Sequence, residues 1–252
     1  MGSGVVSLVH MMRWCLALIT VSFSLLGQDA ALERARRVNL ERASNMPNFV
    51  ADETAERYMR RFGSSKWRHE DTIETEITVR GIQITREKWR RNGKPVTPDP
   101  DDMHMPSTGF AAALKPLFNP ACPTMLESAG RDESRGRPAL VYRFRSPAYG
   151  CFGNLYGPAP YNPARTGRVL IDEPTGEILQ FEEEATGFPR GFVFSQRNQV
   201  MTWDSVRIGD ASHWLPVAAD FIWRMGNGEL YRATIEYKNH RHFEAATNIT
   251  FK

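Results

Sequence analysis

Between Thr72 and Arg80, Ile73, Thr75, Ile77 and Val79 alternate with Glu74, Glu76, Thr78 and Arg80. A two-residue period puts one set on a dry face and the other in water, so this stretch predicts a half-buried strand. Gly81 breaks it, and Ile82 and Ile84 begin a partner strand that runs through Trp89 to Arg91. Asn92-Gly93 then signals a tight turn. Leu140, Tyr142 and Phe144 mark a further strand, and the last third is strand after strand. Arg168 to Ile171 enters the turn Asp172 to Gly176, and Ile178 to Glu184 leaves it. Phe192 to Thr202 and Trp203 to Ile208 follow. Trp214 to Arg224 and Glu229 to Tyr237 flank the turn Met225 to Gly228, and Thr247, Ile249 and Phe251 alternate to the end. Short strands joined by turns predict an antiparallel sheet that curls toward a barrel.

Helical spacing is confined to three places. Ala30 to Ala43 is rich in Ala, Leu, Glu and Arg, with Leu32, Ala35 and Leu40 able to share a face, and Asn45-Met46-Pro47-Asn48 ends it. Gly109 to Phe118 predicts a short helix weakened by Pro116. Phe49 to Phe62 supports two readings: Ala55, Tyr58, Met59 and Phe62 have helical spacing, yet Pro47-Asn48 can equally launch a strand. Lys94 to Pro106 and Ser146 to Pro163 are rich in turn-forming residues and predict irregular chain.

The front of the chain has a different pattern. Arg13 precedes an apolar run from Trp14 to Leu26, followed by small and polar Gly27 to Ala31. That order predicts a secretory signal peptide over residues 1–28, the rival being an uncleaved anchor. The run falls short of the roughly 20 residues that a membrane-spanning helix needs. Residues 29–252 are expected to form a single exported β-rich domain. After cleavage Cys122 and Cys151 remain. Outside the cytoplasm this pair predicts a disulfide, worth about 3–4 kcal/mol in the chain-entropy model; the alternative is two buried thiols. A net charge of +3, with both signs interspersed, marks no nucleic-acid surface. The 14 Phe, 6 Trp and 7 Tyr exclude a disordered chain.

Candidate chemistry is sparse. His240 and His242 share a strand face and could share a metal ion, but no third ligand is evident nearby. Asp99, Asp101, Asp102 and His104 lack the ligand order of a calcium loop. Glu182-Glu183-Glu184 reads as a solvated strand edge rather than a paired-carboxylate site. Ser195 has no nucleophile elbow, and no phosphate loop, zinc helix or dinucleotide fingerprint is present. No catalytic residue, metal or cofactor is therefore expected. What remains is apolar bulk on strands. If the curled sheet encloses a hollow, strand phase nominates Ile77, Ile84, Trp89, Tyr142, Phe192, Trp203 and Trp223 to line it, and a slip of one residue would invert the assignment.

The stretch Gly167-Arg168-Val169-Leu170-Ile171-Asp172, with Thr175-Gly176-Glu177-Ile178, resembles a strand–turn–strand signature of the periplasmic lipoprotein carriers (LolA-like). The order of leader, helix, strand and long antiparallel strands is similar to theirs. Met46 to Thr54, Val206 to Gly209 with Trp214 to Val217, and Tyr237 to Phe243 resemble a group of exported proteins common in acidobacteria. The resemblance implies an incomplete barrel packed on an N-terminal helix and a short middle helix, and it makes Phe49 to Tyr58 the first strand. It also implies a hollow for acyl chains. Lys94 to Pro106 and Pro120 to Pro163 are longer than that layout needs. The expected role is non-catalytic carriage of a lipid or lipidated chain in the cell envelope, with peripheral membrane contact. One alternative is an interaction or sensor domain with a filled core. The other is an envelope hydrolase using His213 or the His240/His242 pair.

Overall fold

The computed structural model describes residues 30–81, 83–98, 110, 112–155 and 160–243. The signal-peptide reading, Ile82, the Asp99–His104 cluster and the alternation at Thr247, Ile249 and Phe251 lie outside them. Helix α1 covers residues 30–44. The strands are β1 (Phe49–Arg60), β2 (Arg68–Arg80), β3 (Gln83–Arg91) and β4 (Lys94–Pro95). After helix α2 (Leu114–Phe118) come β5 (Met125–Ser134), β6 (Arg137–Ser146), β7 (Ala164–Asp172), β8 (Ile178–Thr186), β9 (Phe194–Ile208), β10 (Ala211–Met225) and β11 (Leu230–His242).

The eleven strands of the described residues form one antiparallel sheet in the order β4-β3-β2-β1-β11-β10-β9-β8-β7-β6-β5. The chain meanders from β5 to β11, and β1 docks against β11, so an early strand and the last one lie side by side. The sheet is strongly curved but open, with edges at β4 and β5. Among the described residues no helix is long and apolar enough to cross a membrane.

Alternation explains the curvature. One row of register partners runs across the sheet through Ile73, Ala55, Ile235, Ala219, Met201, Phe181, Val169 and Tyr142. All are buried, and eleven strands can hide such a face only by bending around it. The neighbouring row on the convex side is Glu56, Thr234, Asp220, Val200, Glu182, Arg168 and Arg143. There Arg168 meets Glu182 at 2.7 Å, Arg232 meets Asp220 at 2.6 Å and His69 meets Glu56 at 2.6 Å. Gly167 has a packing reason: a Cβ there would stand 2.7 Å from the Phe144 ring and 1.9 Å from the Glu182 carbonyl oxygen.

Helix α1 seals one end. Ala35, Asn39 and Ala43, one helical turn apart, are buried. Asn39 donates to the Gly176 carbonyl (2.8 Å) and accepts from the Ile178 amide (3.0 Å), fastening α1 to the β7–β8 turn. Helix α2 is five residues long, has no capping side chain and contains Pro116, yet Leu114, Pro116, Leu117 and Phe118 are buried. Phe110, just before it, stacks 6.0 Å from Phe49 and meets Tyr237 edge-on at 5.0 Å, both on the concave face. Cys122 and Cys151 are joined in a disulfide, Cα atoms 5.6 Å apart, which ties the chain after α2 to the β6–β7 loop.

Of the two readings of Phe49 to Phe62 the strand holds, as the resemblance implied, and alternate burial of Phe49, Ala51, Glu53 and Ala55 overrides the helical spacing. Several expectations need correction. In Gly109 to Phe118 only Leu114–Phe118 is helical among the described residues. The length of Pro120 to Pro163 is taken up in part by β5, a strand that no alternation predicted, ahead of the expected β6. Residues Phe192 to Thr202 and Trp203 to Ile208 are not two strands: β9 is continuous from Phe194. The Glu182–Glu184 run is not at an edge, since β8 pairs on both sides and Glu183 is buried.

Candidate functional site

Ile77, Tyr142 and Trp203 are buried on the concave face within one apolar cluster. Ile84, opposite Val79 in register, is half-buried at its margin with Trp89 and Trp223. Trp89 donates its indole N–H to the Arg86 carbonyl (3.3 Å), and Trp223 stacks 5.6 Å from Phe221. Phe192 stands apart. It precedes β9 and packs with Phe188 and Phe194 at 5.1 and 5.0 Å.

The cluster's interior is occupied by the protein's own groups. Phe110, Leu114, Leu117 and Phe118 belong to it. So does Phe152 of the β6–β7 loop, which stacks with Phe144 (6.1 Å) and Phe181 (6.4 Å). Open clefts among the described residues lie elsewhere. One of ≈ 410 Å³ separates α1 from the β7–β8 turn beside His213, and one of ≈ 690 Å³ lies over the ends of β2, β3 and β11.

Sequence reasoning missed the charges inside the sheet. Glu183 takes the concave position between Phe181 and Ala185. It accepts from Arg165 at 3.2 Å and from Arg197, all three side chains being nearly fully buried. Arg165 also donates to the Gly153 carbonyl (2.6 Å) and lies 4.8 Å over the Phe152 ring. Burial lowers the Arg165 pKa, the nearby Arg197 cation adds to this, and Glu183 opposes it. Farther along, Glu53 is buried and pairs with Arg86 at 2.9 Å. Burial raises its carboxyl pKa and Arg86 offsets part of the rise. Tyr237, its register partner, has its phenol pushed up by burial and by Glu53. Arg57 meets Asp71 at 2.5 Å. The available signal was parity: in any strand Phe-x-Glu-x-Ala, the Glu shares the face of its apolar neighbours.

Among the described residues no histidine in a cleft makes a close ion pair with a carboxylate. His240 and His242 share the end of β11, and His240 lies 5.4 Å from the Phe49 ring. Burial lowers the His240 pKa against the Pro216 backbone and Asp52, which raise it. Beside His213, Glu177 is already engaged by Arg42 (2.7 Å) and Thr175 (3.2 Å). The one close imidazole–carboxylate pair described is His69–Glu56, exposed on the convex face. Among the described residues no three His, Cys, Asp or Glu side chains converge on a metal-sized site.

No protein-family model and no curated protein sequence matches the chain. Solved structures of LolA type are among those it is similar to. A LolA superfamily protein from Nitrosomonas europaea shares 9% identity over 89% of this chain and 97% of its own, with a TM-score of 0.34. A domain assigned to outer membrane lipoprotein sorting from Vibrio parahaemolyticus shares 8% over 87% and 93%, with a TM-score of 0.39. A DUF1329 family protein from Desulfovibrio piger shares 9% over 88% and 94%, with a TM-score of 0.34. These are likenesses of layout and transfer no residue role.

Proposed function

We propose that this protein is an exported, non-catalytic binding protein for an apolar ligand, a lipid or a lipidated chain end, in the cell envelope. Its seat is the concave face that α2 and Phe110 cover. The supporting observation is the character of that cover. A five-residue helix with no side-chain cap and an internal proline has no stability of its own. It is held by burying Leu114, Leu117 and Phe118. An acyl chain buries alkyl surface at about 0.8 kcal/mol per methylene. It can therefore replace these side chains at little net cost, exchanging one apolar occupant for another. The disulfide agrees with an oxidising compartment.

A second reading has its own support. The described interior is filled, and β5 is a ten-residue edge strand. An interaction or sensor domain would need no hollow and would pair a partner along that edge.

Native mass spectrometry of protein isolated from the periplasm, followed by organic extraction, separates the two. The expected result is co-purifying lipid and saturable binding of a fluorescent fatty acid. Affinity should be higher in a Leu114→Ala/Leu117→Ala variant, whose cover competes less well. A ligand-free protein that ignores fatty acids in both forms would leave the filled-core reading.

A further inference from the structure

We propose that one end of the sheet docks on an anionic phospholipid bilayer. This end carries the β1–β2, β6–β7, β8–β9 and β10–β11 connections and the start of β5. The proposal is independent of what the concave face binds.

The exposed large apolar side chains among the described residues are Phe62 (79%), Tyr149 (74%), Met125 (58%) and Val193 (39%). An antiparallel meander sends alternate connections to opposite ends. Phe62 lies in β1–β2, Tyr149 in β6–β7, Val193 in β8–β9, and Met125 opens β5, so all four fall at the same end. None falls at the end sealed by α1. Contacts knit the tips into one arc. The Phe62 ring lies against Gly228 in the β10–β11 turn, where a Cβ would meet it at 2.6 Å. Met225, which enters that turn, is paired with Phe194. Ring contacts then lead from Phe194 to Phe188 (4.9 Å), Tyr161 (6.0 Å) and Tyr149 (5.7 Å). The Cys122–Cys151 bond carries the arc to the start of β5.

Charge at this end also suits an anionic surface. The connections at this end hold exposed Arg61, Lys66 and Arg190 against Glu229 alone. The opposite end is mixed: Glu173 and Glu177 are paired with Arg131 and Arg42, and α1 adds Arg34, Arg36 and Arg37 to Asp210 and Arg135. Separate aromatic and aliphatic tips interleaved with cations suit a headgroup layer, where each tip enters the interface and each cation meets lipid phosphate.

Co-sedimentation of the purified chain with vesicles tests this. Mixed phosphatidylethanolamine–phosphatidylglycerol vesicles should bind it, with release as salt rises, and pure phosphatidylcholine vesicles should bind it more weakly. Arg61→Gln/Lys66→Gln/Arg190→Gln should lose more than about tenfold in affinity for the anionic vesicles. Phe62→Ser/Tyr149→Ser/Val193→Ser should lose about tenfold on both vesicle types while keeping its salt dependence. These side chains are exposed, so unchanged denaturation midpoints would verify folding. Wild-type protein that binds neither vesicle overturns the proposal. So does an apolar triple variant that binds normally, or an equal loss in Glu173→Gln/Asp210→Asn at the opposite end.

Discussion

Glu183 stands between Arg165 and Arg197 inside the sheet, where neither cation meets another carboxylate among the described residues. Removing the shared acid would leave two buried guanidiniums facing each other. Glu183→Gln is therefore expected to destabilise by about 3–5 kcal/mol, read from guanidinium denaturation at neutral pH. Asp172, also buried, stands at the β7–β8 turn. It accepts from the Thr175 hydroxyl (2.6 Å), the Thr175 amide (3.1 Å) and Arg137 (3.0 Å). Burial raises its pKa, but these donors outweigh burial and the net shift is downward. A depressed folded pKa means that the unfolded chain takes up the proton first. Its contribution is thus complete above the unfolded value of about 4 and is lost as pH falls through the folded one. Asp172→Asn should cost about 1.5–3 kcal/mol at neutral pH. The gap from wild type should close in denaturation series taken below about pH 4. The turn around Asp172 was legible, because Asp-x-x-Thr-Gly carries its own hydrogen-bonding logic. Glu183 was not, because a run of three glutamates reads as solvated unless strand parity and burial on both sides are known.

Among elements, legibility followed burial contrast. Strand β2 was plain because its two faces differ sharply, with Asp71, Ile73, Thr75, Ile77 and Val79 buried and their neighbours not. Strand β5 left no trace: apart from Ser134 none of its residues is buried, so its composition is that of a loop. Pairing with β6, not side-chain pattern, makes it a strand. Helix α2 is held by the apolar face beneath it. The disulfide four residues beyond it links α2 to the loop that sets Phe152 against Phe144 and Phe181. Two separate occupants of the concave face are thereby tied together. Cys122→Ser/Cys151→Ser is expected to lose about 3–4 kcal/mol, and reduction with excess dithiothreitol should lower the thermal midpoint of wild type but not of the variant.

At the scale of the whole molecule the sheet has two unlike ends. One is stoppered by α1 through Asn39 and the β7–β8 turn. The other carries Phe62, Tyr149, Val193 and Met125 beside Arg61, Lys66 and Arg190. This polarity emerges from the antiparallel meander, which collects loops far apart in the chain. The sequence by itself determined most of the strands, the N-terminal helix, the tight turns and the cysteine pair. Period-two alternation, helix composition and Gly-, Asn- and Asp-rich turns act between near neighbours and are written locally. Only the tertiary structure decided that β1 lies against β11, that Glu183 and Glu53 face inward among aromatics, and that the concave face is filled by α2, Phe110 and Phe152. Those outcomes depend on register and on which distant apolar surfaces meet when the sheet bends, and free energies of that kind belong to pairs of segments rather than to either segment alone.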